Sequence, residues 1–167
     1  KKDKIGNILF TGGTKSWDLP TSASAINPIL GGIMDGYIVK MTSDATSLIA
    51  CTYIGTEELD QTYFVQLDTA DNIYVVGQTE GVYPITPATV YNDSNSGQFI
   101  HKLTPDLSST IFSTTFGTSS GEVDISLSAF LVNNCNYILI SGWGGSLNAA
   151  YALADYSTTN GLPITPN

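Results

Sequence analysis

The sequence predicts an all-β chain assembled from a repeated four-stranded unit. Three observations carry that prediction. Asn7-Ile8-Leu9-Phe10-Thr11-Gly12 returns as Asn72-Ile73-Tyr74-Val75-Val76-Gly77 and again as Tyr137-Ile138-Leu139-Ile140-Ser141-Gly142, so the three glycines are evenly spaced, at an offset of 65 both times. In a second register, offset by 62, Lys40-Met41-Thr42-Ser43-Asp44 matches Lys102-Leu103-Thr104-Pro105-Asp106, and residues 52–56 match 114–118. Only 13% of the 167 residues are charged, while Gly, Ser, Thr, Asn and Tyr are abundant. That composition suits short strands joined by polar turns, and a fixed period outranks any domain count taken from length.

Taken in order, Asp3 to Asn7 reads as a turn ahead of the first motif, and its Asp recurs as Asp68 and Asn133. Residues 35–41 and 49–55 are β-rich runs that return as 97–103 and 110–116, the later pair separated by Thr104-Pro105-Asp106-Leu107-Ser108. In the middle copy, Tyr63-Phe64-Val65-Gln66-Leu67, the turn cluster 68–72 and the run 73–76 form a hairpin. The stretch 78–96 is polar, and Pro84 and Pro87 disfavour a central strand there. Pro84-Ile85-Thr86-Pro87 is repeated as Pro163-Ile164-Thr165-Pro166 at an offset of 79, which implies an insertion of about 14 around 147–160. Loops absorb such insertions cheaply.

Alternation places Phe99, His101 and Leu103 on one face of their strand and Gln98, Ile100 and Lys102 on the other, with apolar residues on both. A sheet covered on both faces, with four antiparallel strands in each period, fits one blade of a β-propeller. The expected units are a partial blade over 1–61 (strands b, c and d), a complete blade over 62–123, and a partial blade over 124–167 (strands a and b with a loop insertion). Propellers close with about four to eight blades, so the chain is expected to be an incomplete segment of a larger one, or to be completed by a partner.

Fifteen acidic against six basic side chains give a formal charge of −9, which opposes contact with phosphate backbones; nucleic acid is not an expected partner. No apolar run reaches the roughly 20 residues that a membrane-crossing helix needs, and membrane insertion is not expected. No secretory leader is visible, and a mature or internal segment reads the same way. Cys51 and Cys135 occupy different positions in different copies and are expected to be unpaired. One histidine and no C-x-x-C pair give zinc no support.

Candidates for chemistry are few. His101 matches Val39 of the preceding copy and reads as a packed side chain. No G-x-S-x-G element is present. Asp44 and Asp106, like Asp3 and Asp68, recur at equivalent turns; a carboxylate repeated in each copy caps a turn, whereas a catalytic pair is needed once. No enzymatic activity is expected, and glycan hydrolysis ranks last among the readings. The loop Asp93-Ser94-Asn95-Ser96-Gly97 has oxygen donors at alternate positions but lacks a closing Glu, because Thr104 stands there, so it reads as a turn. Glu57, Glu58 and Asp60 form the one dense acidic cluster and are the candidates for Ca²⁺, the single cofactor considered. Trp17, Tyr83, Tyr91 and Trp143 lie near the long segments after the second strand, where they serve either core packing or a carbohydrate or peptide surface. Asn92-Asp93-Ser94 fits the N-glycan sequon.

The chain resembles the SBBP-type β-propeller repeat of bacterial secreted and surface proteins. The resemblance rests on Asp35-Gly36-Tyr37-Ile38-Val39-Lys40-Met41, residues 49–55, Glu57-Glu58-Leu59-Asp60, Val65-Gln66-Leu67-Asp68, residues 72–77 and Tyr83-Pro84-Ile85-Thr86, in the order of the family pattern. The loop after Gly117 departs from it in being less acidic, which weakens an ion-binding role there. The resemblance implies export to the bacterial surface or beyond, in a large protein such as an adhesin, a gliding-associated protein or a cargo of type IX secretion. It implies a non-catalytic scaffold whose partners are the remaining blades, a protein, a glycan or the secretion machinery. Asp68-Thr69-Ala70 resembles a bacterial O-glycan acceptor, which makes Thr69 a candidate for modification.

Overall fold

The structure, a computed structural model, describes residues 1–144 and 162. Among these residues nine strands form in chain order: β1 (Ile8–Thr14), β2 (Asp35–Met41), β3 (Leu48–Ile54), β4 (Asp60–Leu67), β5 (Ile73–Thr79), β6 (Gln98–Leu103), β7 (Thr110–Thr115), β8 (Ser126–Val132) and β9 (Ile138–Trp143). They make three antiparallel sheets, ordered β1-β2-β3, β4-β5-β6-β7 and β8-β9. No described residue is helical, and none of the three sheets closes on itself. The described residues are therefore all-β, and the hairpin expected over 63–76 forms with Leu67 opposite Ile73. The inserted segment around 147–160 and the second Pro-Ile-Thr-Pro run lie outside the described residues.

The recurring carboxylates close the turns. Asp68 accepts hydrogen bonds from the amides of Ala70 (2.8 Å) and Asn72 (3.0 Å) and from Asn72 Nδ2 (2.9 Å), and Asp3 does the same with Asn7. In the third copy Asn133 Oδ1 accepts from Cys135 and Tyr137, at 2.9 Å each. Each of these turns carries a residue of positive φ at the same place: Gly6 (90°), Asp71 (61°) and Asn136 (63°), residue types that enter this region at low cost. At the other turn, Asp44 and Asp106 accept from Thr42 and Thr104 hydroxyls at 2.6 Å.

Asp3 and Asp68 have a second task that spacing alone does not reveal. Lys40 Nζ lies 3.1 Å from Asp3 and Lys102 Nζ 2.9 Å from Asp68, with the aspartate side chains only 4% and 3% exposed. The lysine comes from the strand that pairs with the one following the turn, so the ion pair ties the turn to its sheet. Burial works to raise the Asp68 pKa, but hydrogen bonds from Asn72, Lys102 and the turn amides outweigh it and hold the carboxyl at about 2.

Two of the three repeated glycines, Gly77 and Gly142, answer to a bulge. Tyr63 is an extra residue in β4, between the pairs Thr62–Gly77 and Phe64–Val76, and Ser128 is its counterpart in β8, between Leu127–Gly142 and Ala129–Ser141. A bulge pushes the neighbouring carbonyl toward the partner strand. A methyl group on Gly77 would lie 2.2 Å from the Gln61 carbonyl oxygen, and one on Gly142 2.4 Å from that of Ser126.

Packing joins the sheets face to face. Leu9, Ile38 and Ile54 of the first sheet meet Ile73, Val75, Phe99 and Leu103 of the second, while Tyr74, Val76 and Ile100 on its reverse meet Phe130 and Val132 of the third. This agrees with the alternation expected across β6. Two outer edges are sealed by the chain itself. Residues 15–34 run along β3, with Tyr53 N donating to the Asn27 carbonyl (3.1 Å) and Ser22 N to that of Cys51 (3.0 Å). Residues 80–97 run along β7, where Thr86 and Ser113 exchange both backbone hydrogen bonds. Covering an edge in this way removes a template for unwanted strand pairing.

Gly77→Ala is expected to destabilise the chain by about 2–4 kcal/mol, since the obstacles are a backbone oxygen and the Phe99 ring rather than flexible side-chain ends. Urea denaturation followed by tryptophan and tyrosine fluorescence measures it. An unchanged midpoint would show that the bulge does not require glycine.

Candidate functional site

Two carboxylates meet where the first sheet passes to the second. Asp35 opens β2 and Asp60 opens β4; Asp35 is 2% exposed and Asp60 0%. A parallel bridge between Met34 and Leu59 sets the strand starts side by side, and Asp60 N donates to the Met34 carbonyl at 2.7 Å. Both side chains close on Gly55, where an added methyl group would lie 2.9 Å from Asp60 Oδ2 and 3.0 Å from Asp35 Oδ1. A single carbon at that point would press on both carboxylates, so the two acids lie side by side against Gly55.

Backbone amides hold them. Gly31 N donates to Asp35 Oδ2 (2.7 Å) and Gly32 N to Asp35 Oδ1 (3.1 Å), while Thr56 N (2.6 Å) and Thr56 Oγ1 (2.7 Å) donate to Asp60 Oδ2. Asp60 Oδ1 is buried with no hydrogen-bond partner among the described residues. Burial raises the Asp35 pKa, and the charge of Asp60 adds to the rise against the pull of the Gly31 and Gly32 amides. The neighbouring Glu80 carboxyl is also raised, by burial and then by Glu58, Glu122 and Asp60.

Above the pair lie two clefts that share Gly55, Thr56 and Glu57. One, of about 500 Å³, is lined by Glu58, Glu80 and Val82, and the other, of about 350 Å³, by Asn27, Ile29 and Asp35. The cluster expected at Glu57, Glu58 and Asp60 is therefore divided: the two glutamates face outward and the aspartate is turned inward. Among the described residues no group of three His, Cys, Asp or Glu side chains converges as a metal-ligand set. Nor does the Asp35–Asp60 pair suit glycoside hydrolysis, because both acids are buried and a sugar must enter between the two carboxyl groups.

The second copy repeats half of the arrangement. Thr118 N (2.9 Å) and Thr118 Oγ1 (2.7 Å) donate to the fully buried Asp124, and Gly117 lies against Asp124 as Gly55 lies against Asp60. The second copy has Gly97 at the register position of Asp35, and the side chain that faces the cap there is Ser96, whose Oγ would be 3.0 Å from a methyl group on Gly117. Asp60 and Asp124 are thus a recurring cap, whereas the second carboxylate occurs at this junction alone of the two. Spacing hides this, since Asp124 follows Thr118 at a distance of six in sequence and Asp60 follows Thr56 at four.

The candidate aromatic residues do not form one surface of four. Trp17 (81% exposed), Tyr91 (66%) and Trp143 (48%) are open to solvent, but Tyr83 is buried. Its ring stacks on Phe99 with centroids 4.0 Å apart, and its hydroxyl lies 2.8 Å from His101 Nδ1. The long segment folds back over the second sheet and the ring fills its core, so Tyr83 offers no face to a ligand.

His101 is packed as expected, with Nε2 2.7 Å from Thr110 Oγ1, and burial lowers its pKa to about 4. Cys51 is buried and free, its thiol pKa raised by burial, and Cys135 is exposed and free. Thr69 is exposed at the tip of its turn. The loop 93–97 spends its polar groups internally: Gly121 N donates to the Asn95 carbonyl (2.6 Å), Asn95 Nδ2 to that of Ser119 (3.2 Å), and Ser119 Oγ to Asp93 Oδ1. No protein-family model matches the chain, and no curated protein matches it.

The neutral His101 has a measurable consequence. Its folded pKa of about 4 lies below the unfolded value of about 6.5, so its contribution is complete above pH 6.5 and is lost as pH falls toward 4, by up to about 3 kcal/mol. Thermal melts between pH 7 and pH 4 should fall accordingly. The double variant Tyr83→Phe/His101→Val, which removes both polar partners and supplies the residue of the first copy, should flatten the decline; an equally steep profile would assign it to other groups.

Proposed function

We propose that the chain is a non-catalytic scaffold: successive blades of a β-propeller of the SBBP type, within an exported bacterial surface protein. Support comes from recurring construction: a capped turn ahead of β1, β5 and β9, a bulge facing a glycine in the second and third sheets, and apolar faces that pack each sheet on the next. The two registers of the repeat and the all-antiparallel sheets agree with that reading, as does the likeness of residues 35–86 to the family pattern.

The observation that carries the binding role is the edge of β9. In the middle sheet β5 pairs with β4 on one side and β6 on the other, but β9, the counterpart of β5, is paired only with β8 among the described residues. Leu139 and Trp143 on β9 are exposed. A strand added there, the counterpart of β6, would complete the ladder and cover them, and its source is the rest of the same blade or a protein partner. A second reading, a glycan or peptide surface, is favoured by Trp17, which is 81% exposed.

Light scattering on the isolated chain tests the scaffold reading. The expected mass exceeds 17.7 kDa and rises with concentration, and Leu139→Lys returns it toward the monomer value by placing a charge on the open edge. A strictly monomeric chain at all concentrations would overturn the proposal. Loss of glycan binding in Trp17→Ala, with the mass unchanged, would favour the second reading.

A further inference from the structure

We infer that the junction of the first two sheets is a Ca²⁺ site, with Asp35 and Asp60 as its charged ligands and the carbonyls of Thr56 and Glu58 beside them. Several features converge. Asp60 is 0% exposed, and its Oδ1 has no hydrogen-bond partner among the described residues. A buried carboxylate oxygen without a donor is costly and calls for a proton or a cation. The other oxygen of that carboxylate, Oδ2, and Oδ1 of a second buried carboxylate, that of Asp35, both close on Gly55, and two such charges side by side in a low-dielectric setting repel.

Neutral oxygens lie along Gly31 and Gly32, the two residues whose amides hold Asp35. A methyl group on Gly32 would lie 2.2 Å from the Glu58 carbonyl oxygen and 2.8 Å from that of Thr56, and one on Gly31 3.0 Å from the Thr56 oxygen and 3.5 Å from Asp35 Oδ2. The glycines thus admit backbone oxygens that any larger residue would displace. Carboxylates with backbone carbonyls are the oxygen donors of a hard cation, and a set supplied by the protein suits Ca²⁺ better than Mg²⁺, which keeps several of its own waters. The charges acting on Asp35, Glu80 and Tyr83 are all negative, and outward-facing Glu57 and Glu58 line the cleft above.

The comparison between copies separates structure from ligand. Asp124 performs the capping of Asp60 with Ser96 opposite it, so a turn of this kind closes with one carboxylate. Asp35 adds charge where the cap does not require it. The inference is independent of the scaffold reading, which concerns the β9 edge.

The experiment titrates the whole chain with Ca²⁺ at neutral pH, reading the thermal midpoint, and with Tb³⁺, reading luminescence sensitised by the buried Tyr83. Expected are a Ca²⁺-dependent rise of several degrees, Tb³⁺ emission displaced by Ca²⁺, and no comparable effect of Mg²⁺. Asp35→Ser, which replaces the carboxylate with a hydroxyl like the one Ser96 presents to the second cap, should fold without Ca²⁺ and lose at least tenfold in affinity. Glu57→Gln/Glu58→Gln should keep the Ca²⁺ shift, which excludes loose attraction to surface acids. The inference is overturned if Ca²⁺ leaves the wild-type midpoint unmoved, or raises Asp35→Ser equally. It is overturned too if Asp35→Ser merely stabilises the Ca²⁺-free chain at pH 8 and not at pH 5, with no Ca²⁺ effect in either protein, since the pair would then be holding a proton.

Discussion

Strand β5 has no solvent face. Ile73 and Val75 point into the core shared with the first sheet, and Tyr74 and Val76 into the core shared with the third. Every residue from Ile73 to Thr79 is buried. Burial on both sides makes the middle sheet the wall between two cores, and apolar area removed from water is the dominant favourable term in each. The first sheet, with Leu9, Ile38 and Ile54 facing it, and the third, with Phe130 and Val132, each bury their apolar faces against it.

Such a stack leaves the backbone polar groups at sheet edges and turns to be satisfied locally, and the chain does this with few charges. Carboxylates at 3, 44, 68 and 106 each accept amide or side-chain donors within their own turn. Long segments cover the outer strands, so that Thr86 with Ser113 and Asn27 with Tyr53 continue the ladder. Lys40 and Lys102 neutralise the two turn acids that the packing buries. A turn carboxylate without its lysine would be a nearly buried charge, which is why the two residues recur together. Leu107 shows the same economy from another side, since its backbone enters the left-handed region (φ 61°) while its side chain is fully buried in the core. Strain of about 1 kcal/mol at such a position is offset by apolar burial of larger size.

Much of this was legible in the residues. The motif ending in Gly12, Gly77 and Gly142 marked the repeat, the alternation of Phe99, Ile100 and Leu103 marked a sheet covered on both faces, and the Asp68 to Asn72 cluster marked the hairpin turn. The candidate site was legible only in fragments. Glu57, Glu58 and Asp60 look alike as a run of acids, yet two face solvent and one is buried. Asp35, its partner, opens a different strand of a different sheet, and no local pattern brings the two together. Tyr83 followed the same rule: an aromatic residue in a proline-bearing loop suggests a surface, but its stacking on Phe99 depends on how the loop folds back.

Strand type, period, turn chemistry and the two-faced burial of the middle copy can all be read from the residues alone. These follow from near-neighbour patterns, because side-chain alternation and Asx turns are set within a few residues. Only the tertiary structure decided which acids lose water, which lysine meets which aspartate, and why the recurring glycines at 77 and 142 tolerate no side chain. Each of those outcomes depends on backbone approaching from another strand, as the Gln61 carbonyl does at Gly77. Long-range approach of this kind is fixed by sheet packing and register, which no single segment encodes.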